Sequence, residues 1–215
     1  MKKVAFVLEE DDIYSALGGN SLTITLHDIL KFGFKTFTST VIGKKNDAPF
    51  SDGGFTPIYS ETRRRYLASM REALRRIQPD IVVSLQSFRL ALLAKSWDPQ
   101  TPVVLYRHNL VRKKGRLSAL AFDYRMRKID RFIFCSHFIR NHFTAQYPKT
   151  ADRADTVWNG FDLDTWHPTD PSLRTKEIIL AGRCHPEKGV KEAALAIASA
   201  LSQWAAAGSV DTNLS

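Results

Sequence analysis

Apolar positions follow two rhythms along this chain, and the two alternate. Residues 4–8 form a short apolar run of the length of a buried strand. An acidic stretch follows, and then Gly18 and Gly19. Leu22, Leu26, Ile29 and Leu30 then recur at helical spacing; Asn20 or Ser21 can cap that helix and Gly33 can end it. Residues 34–42, with apolar Phe37, Val41 and Ile42, predict a second strand. Residues 43–60 hold Gly, Pro, Asp and Asn and read as a loop. Tyr66, Leu67, Met70, Leu74 and Ile77 form one helical stripe that stops before Pro79. The alternation continues with a strand over 80–85 and a helix over Phe88–Trp97 stopped by Asp98-Pro99. A strand over 103–106, a helix over 117–128 and a strand over 132–135 come next. Ser136 can cap a last helix over His137–Gln146, ahead of Pro148.

Strands and helices in strict alternation build a parallel sheet with helices on both faces. Residues 1–158 supply enough strands for one α/β domain, a Rossmann-like, doubly wound parallel sheet. Residues 159–174 are rich in Pro and Asp and read as an interdomain linker. Residues 175–215 start a second domain, with a strand over 177–180, a loop over 181–189 and a helix over 190–204. The stripe of that helix is Val190, Ala194, Ile197, Leu201 and Trp204. One strand and one helix cannot make a core alone, so the second domain is expected to be incomplete.

Composition narrows the class without choosing a function. Apolar residues are 44% of the chain and charged residues 25%, ordinary values for a soluble domain. The apolar runs, such as Ile81-Val82-Val83, are far too short to span a membrane. Lys2 and Lys3 precede a short apolar run, but Glu9, Glu10, Asp11 and Asp12 follow at once, so no secretory signal is expected. Two cysteines, Cys135 and Cys184, fit reduced thiols in a cytoplasmic protein. The net charge of +9 favours anionic partners. Its cations fall in one cluster over residues 63–76 and a second over 107–131. The second cluster is interleaved with apolar residues. It suits an anionic membrane surface on the inner face, a phosphorylated saccharide, or a solvated helix. No RNA- or DNA-reading motif accompanies the charge, so no nucleic-acid partner is expected.

Candidate chemistry centres on the turn Ala181-Gly182-Arg183-Cys184-His185-Pro186-Glu187-Lys188-Gly189. A glycine after a strand allows close approach of a ligand, and the following helix N-terminus favours an anion. Arg183 and Lys188 flank the turn and can hold a diphosphate; solvated surface charges are the plainer reading. Gly18-Gly19-Asn20 can cradle a phosphate or make a tight turn, and it is not the dinucleotide fingerprint. His108 follows a strand and so sits where open α/β sheets bind ligands, although a lone His is also a common hydrogen-bonded structural residue. Arg107 and Asn109 flank it. Asp162-Leu163-Asp164 looks like a metal-binding Asp-x-Asp but lies in the linker, and the Glu9–Asp12 charges read as solvated at the sheet edge.

The segment from Glu177 through Arg183, followed by Pro186-Glu187-Lys188-Gly189, resembles the opening of the nucleotide-binding domain of GT-B glycosyltransferases of the retaining, family 4 type. Val157-Trp158-Asn159-Gly160-Phe161-Asp162 resembles that family's Pro-Asn-Gly-Val-Asp linker, with Trp158 in place of proline. Arg131 through Ser136 is similar to the strand-to-Ser turn of its first domain. The resemblance implies transfer of a sugar from a nucleotide-sugar donor to a saccharide or glycolipid acceptor, with no metal or other cofactor. It implies that Arg183, Lys188, Gly18 and Gly19 meet the donor, that His108 supports the transferred sugar, and that Asn20, Arg107 and Asn109 face the acceptor. The family's second domain also carries a Glu-x7-Glu motif, and Glu187 and Glu192 lack that spacing. The chain alone is therefore expected to transfer sugar weakly or not at all. A non-catalytic binding module and a GT-B nucleotide-sugar epimerase are the alternative readings.

Overall fold

Strand β1 (Lys2–Val7) lies in the middle of a parallel sheet, and alternate residues of it feed two separate cores. Ala5 and Val7 pack into one, Val4 and Phe6 into the other. A strand buried on both faces needs a continuous apolar run, which is what residues 4–8 supply. The computed structural model describes residues 1–32, 37–51, 53–111, 115–160, 162–164, 166–173, 178–182 and 184–206, with backbone only for 116–119, 187, 205 and 206.

The other strands are β2 (Phe37–Lys44), β3 (Phe55–Ile58), β4 (Ile81–Leu85), β5 (Val103–Arg107), β6 (Arg131–Phe134) and β7 (Ala154–Thr156). They form a seven-stranded sheet in the order β3-β2-β1-β4-β5-β6-β7, and every adjacent pair is parallel. The helices are α1 (Ser21–Lys31), α2 (Arg63–Ile77), α3 (Phe88–Trp97), α4 (Arg116–Met126), α5 (His137–Gln146) and α6 (Val190–Ala206). Leu22, Leu26 and Leu30 of α1 cover the Val4–Phe6 face. Tyr66, Met70 and Leu74 of α2, Leu90 and Ala94 of α3, Met126 of α4 and Phe143 of α5 cover the opposite face. The chain winds outward through β2 and β3, then crosses by α2 to lay β4 beside β1. Strand order thus reverses between β1 and β4, which makes this the switch point of a doubly wound sheet.

Local signals account for the helix boundaries. Asn20, Thr62, Ser87 and Ser136 each accept a backbone N–H with the side chain and start α1, α2, α3 and α5. Gln78 adopts a left-handed φ of 49° to end α2 ahead of Pro79. Gly33, the expected end of α1, and the first residues of the expected strand 34–42 lie outside the described residues.

Two strands were not legible. The expected loop 43–60 contains β3, whose run Phe-Thr-Pro-Ile includes a proline. Pro57 is tolerated because β3 is an edge strand. The carbonyls of Gly54 and Ile58 accept from Val41 and Lys45 of β2 and its end, so in this register the nitrogen of Pro57 faces the open side. Strand β7 has only three residues, Ala-Asp-Thr, too few for any periodicity to show.

The chain divides into two compact units, Met1–Trp166 and His167–Ser215. In the second, the described residues form the short 3-10 turns Pro171–Leu173 and Pro186–Lys188 and the helix α6. The strand expected over 177–180 is not formed in its described part: residues 178–182 have no regular structure, and Ile178 and Ile179 are exposed. A strand is stable only when neighbours take its hydrogen bonds, and none of the described residues of this unit does so. Glu177 itself lies outside the described residues. Among the described residues no helix is long and apolar enough to cross a membrane.

Candidate functional site

The switch point gathers the loops that follow β1, β4, β5 and β6. In the loop after β1, the two glycines do different things. The N–H of Gly19 donates to the carbonyl of Ser15 at 2.9 Å. A Cβ added at Gly19 would stand 2.3 Å from that same oxygen and 2.8 Å from Thr23 Oγ1, so the turn admits no side chain there. Gly18 is exposed, and a Cβ added there would meet nothing within 4 Å. It borders open space. Asn20 is committed within the protein: its Oδ1 accepts from Leu22 and Thr23, and its Nδ2 donates to Asp12 Oδ1 at 2.6 Å.

The neighbouring acidic run departs from its reading as solvated edge charges. Because β1 is central, the loop that follows it lies at the switch point and not at a sheet edge. Glu9 accepts from Arg63 at 3.1 Å and from the hydroxyl of Ser87, joining this loop to the N-termini of α2 and α3. Asp12 is half-buried and held by Asn20, and desolvation raises its pKa above the usual carboxylate value, opposed mainly by that hydrogen bond. The buried Tyr66 hydroxyl donates to the carbonyl of Leu8 at 2.9 Å, and burial pushes its pKa up.

The ends of β4 and β5 meet through Gln86. Its φ is 60°, left-handed for a non-glycine residue. Its N–H donates to Tyr106, its carbonyl accepts from Arg107 Nη1, and its side-chain oxygen accepts the N–H of His108 at 3.2 Å. Arg107 therefore turns inward: its guanidinium also donates to the carbonyl of Leu110 and lies 4.9 Å from the ring centre of Phe88. Burial lowers its pKa. The His108 ring packs edge-on against Tyr106, with centroids 4.5 Å apart. Its Nε2 is out of contact with solvent and has no hydrogen-bond partner among the described residues. Desolvation lowers the pKa of this imidazole from 6.5, so it is neutral at pH 7. Asn109 is exposed. Cys135, at the end of β6, donates weakly to the carbonyl of His108 at 3.7 Å. The Tyr106 hydroxyl donates to Asn159 Oδ1 at 2.9 Å, and burial, helped by Cys135, pushes that phenol up to about 12.

Gly18, Gly19, Asn20, Arg107, His108 and Asn109 thus all lie on loops or strand ends at the edge formed by the C-terminal ends of the parallel strands in the first unit. A chain of contacts from Glu9 through Ser87, Gln86 and His108 to Cys135 runs along that edge. Lys188 belongs to the second unit, where it is exposed at the end of its 3-10 turn, with its N–H donating to His185. Gly189 follows with φ 64° and accepts the N–H of Ala193, which starts α6. Arg183 lies outside the described residues. Asp162 pairs with Lys31 at 2.8 Å and accepts the N–H of Asp164 at 3.0 Å, the hydrogen bonding of a turn. Among the described residues no group of three or more His, Cys, Asp or Glu stands together as a metal site.

Chemically, the edge offers an open approach beside Gly18 and, beneath the surface, a neutral imidazole whose covered Nε2 has no hydrogen-bond partner among the described residues. Gln86, Glu9, Ser87 and Tyr106 were missed from sequence. Gln86 and Ser87 follow β4 at the switch point, and that position alone could have flagged them.

Residues 43–165 match the family model described as Glycosyltransferase Family 4. No curated protein matches the chain. Among solved structures, Anabaena HepE in complex with UDP and glucose is similar, with a TM-score of 0.52 and 13% identity over 80% of this chain and 48% of that one. A glycosyltransferase from Rickettsia africae ESF-5 gives 0.53 and 14% over 81% and 47%. A UDP-GlcNAc 2-epimerase from Neisseria meningitidis, bound to UDP-GlcNAc, gives 0.47 and 14% over 74% and 46%. The chain spans about half the length of each of these structures. At such identity, the first two matches speak for a shared fold.

Proposed function

The chain belongs to Glycosyltransferase Family 4, and on that premise we propose that it serves the transfer of a sugar from a nucleotide-sugar donor to a saccharide or lipid-linked saccharide acceptor, with the anomeric configuration retained. The observation that carries this reading is where the family match falls. It runs from residue 43 to 165 and so takes in β3 to β7 and the loops after β4, β5 and β6 that hold Gln86 and His108. Anabaena HepE, similar in fold, was solved with UDP and glucose.

In this reading the open space beside Gly18 admits the donor phosphate, and Gly19 keeps the turn close to α1. Neutral His108 supports the transferred sugar, with a turn of its ring bringing the covered Nε2 to a sugar hydroxyl. Fixed dipoles in a site cleared of water stabilise charge that develops during transfer. Arg183 and Lys188 neutralise the departing diphosphate. Asn109 meets the acceptor, while Asn20 and Arg107, whose polar atoms mostly bond within the protein, hold the loops that border it. Turnover, as distinct from contact of the donor with the first unit, draws on groups of the second unit as well, and there the described apolar residues Ile178, Ile179, Leu195 and Trp204 are exposed. We expect the 215-residue chain by itself to turn over little or no donor.

The test is an NMR titration of the labelled chain with UDP-glucose, UDP-N-acetylglucosamine and GDP-mannose. Shifts at Gly18 and His108 with at least one donor are expected; no shift at either residue with any of them overturns the site. Retention is tested on the product anomer formed by a transfer-competent form of the protein, where an inverted linkage overturns it.

A further inference from the structure

Between β4 and α3 the fold leaves a polar group unspent, the carboxamide nitrogen of Gln86. The other groups of this residue are committed. Its N–H donates to the carbonyl of Tyr106 at 2.8 Å, its carbonyl accepts from Arg107, and its Oε1 accepts the N–H of His108 at 3.2 Å. A backbone N–H only donates, so the end of the carboxamide that faces His108 is the oxygen. That fixes the other end as the NH2 group. Nε2 has no hydrogen-bond partner among the described residues, and it is not one of the covered polar atoms that lack a partner. On this half-buried side chain the nitrogen therefore reaches solvent with its N–H bonds still to give. The backbone of Gln86 has a left-handed φ of 60°. A non-glycine residue stays there only where its surroundings over-determine it, and such residues gather at ligand sites. Here the three hydrogen bonds do so, and together they hold the donor in one orientation.

The neighbouring charges say what this donor can serve. Arg107 spends its guanidinium on the carbonyls of Gln86 and Leu110 and lies over the ring of Phe88. Arg63 donates to Glu9, and Glu9 also takes the hydroxyl of Ser87, next in sequence to Gln86. What the ends of β4 and β5 still offer is neutral: the Gln86 amide, the His108 imidazole and the exposed side chain of Asn109. Neutral donors and acceptors set together suit a neutral polyhydroxyl compound. A phosphate or a carboxylate is held best by a cation, and the cations here are taken.

We propose that Gln86 reads the acceptor: its Nε2 donates to a hydroxyl oxygen of the acceptor saccharide, beside His108. The proposal rests on the transferase reading. Arg107, expected at the acceptor, is spent inside the protein, and Gln86, whose carbonyl holds it there, takes over that contact. The consequence is selectivity. A fixed N–H donor is satisfied by a hydroxyl at one position of the sugar ring, and a ring without that oxygen leaves the donor unpaired.

The test is NMR of the isotope-labelled full chain, in which the Gln86 side-chain amide gives its own pair of signals. Methyl glucoside, methyl mannoside and methyl galactoside are titrated in separately, and UDP-glucose, UDP-N-acetylglucosamine and GDP-mannose form the donor arm. At least one glycoside should move the Gln86 Nε2 pair, a readout that needs no variant. Among the singly deoxygenated forms of that glycoside, one should bind roughly two- to ten-fold more weakly, the worth of one neutral hydrogen bond. Gln86→Met removes the amide, and to this variant the deoxygenated and complete sugars should bind alike. A structural role alone, through the hold of Gln86 on His108, would weaken both sugars together and keep their ratio. Melting temperatures check that the variant folds. No movement of the Nε2 pair with any glycoside, or the same ratio in Gln86→Met as in the parent chain, overturns the proposal. Donor shifts at Gly18 and His108 alongside such a result leave the transferase reading standing. Their absence overturns that reading, and the acceptor role of Gln86 with it.

Discussion

The backbone N–H of His108 donates to the side-chain oxygen of Gln86 over 3.2 Å, which fixes the end of β5 against the end of β4. Gln86 does this from a left-handed backbone, φ 60°. The two features act in opposite directions on stability, and substitutions can separate them. Gln86→Ala keeps the strained backbone and loses the hydrogen bond, at a cost of about 1 kcal/mol. Gln86→Gly loses the same bond but relaxes the backbone, recovering roughly 1 kcal/mol. Denaturant unfolding should therefore rank glycine above alanine at this position. Both variants should move the His108 ring resonances in NMR, a readout that a stability change alone would leave in place. Alanine as stable as glycine would mean that the left-handed backbone is not strained here.

The adjacent glycines should respond unequally to alanine. Gly19→Ala puts a methyl 2.3 Å from a backbone oxygen of Ser15, which has no flexible end to move aside. Overpacking of that kind costs about 1–3 kcal/mol, read as a fall in melting temperature. Gly18→Ala meets open space and should stay within about 0.5 kcal/mol of the parent chain. In the proposed site that methyl occupies the donor's approach. Gly18→Ala should thus weaken nucleotide-sugar binding without loss of stability, and an unchanged titration would remove Gly18 from the site.

These two pairs separate what local sequence encodes from what only the folded chain brings together. Helices α3 and α5 were legible because their signals are local: Asp98-Pro99 and Pro148 as stops, and Ser136 as the cap of α5. Gly18 and His108 were legible as candidates because chain position after a strand places them at the end of the strands where open α/β sheets bind ligands. Gln86 and Glu9 were not. The partner of Gln86 is 22 residues away and that of Glu9 on α3 is 78 away, and no local pattern encodes such pairings. The acidic run looked solvated because its composition is that of a loop; sheet order, which makes β1 central, turned it into a brace. Strands β3 and β7 escaped because edge strands are short and carry little apolar periodicity.

Burial lowers the pKa of His108 from 6.5, so the folded chain binds fewer protons at this ring than the unfolded chain in the window just below that value. Stability linked to the neutral ring is therefore complete above pH 6.5 and is lost as pH falls through the folded pKa. Melting temperatures recorded from about pH 5 to pH 8 should rise through the lower part of the range and then level off. His108→Gln, neutral throughout, should flatten that rise. Donor binding should follow the same curve, since protonation takes away the acceptor lone pair of Nε2. A rise that persists unchanged in His108→Gln would assign it to another group.

The hydroxyl of Tyr106 is the tie between the sheet and the stretch leading out of the first unit. It donates to Asn159 Oδ1 at 2.9 Å, with its pKa near 12, so the bond is between neutral groups at every physiological pH. Tyr106 is buried while Asn159 is exposed, so the two partners do not lose equally when the bond is broken. Asn159→Ala leaves a phenol hydroxyl at a half-wet boundary, and Tyr106→Phe leaves an amide that water can serve. Each single change should cost about 0.5–1.5 kcal/mol, with Asn159→Ala the larger. The double variant should cost less than the sum, because the second change removes a group already without its partner. Limited proteolysis adds a local readout. If this bond holds the stretch down, cleavage near residues 157–160 should speed up in Tyr106→Phe and Asn159→Ala alike, while cleavage in the second unit should not change. Additive unfolding energies and unaltered cleavage would show that the bond does not tether this stretch.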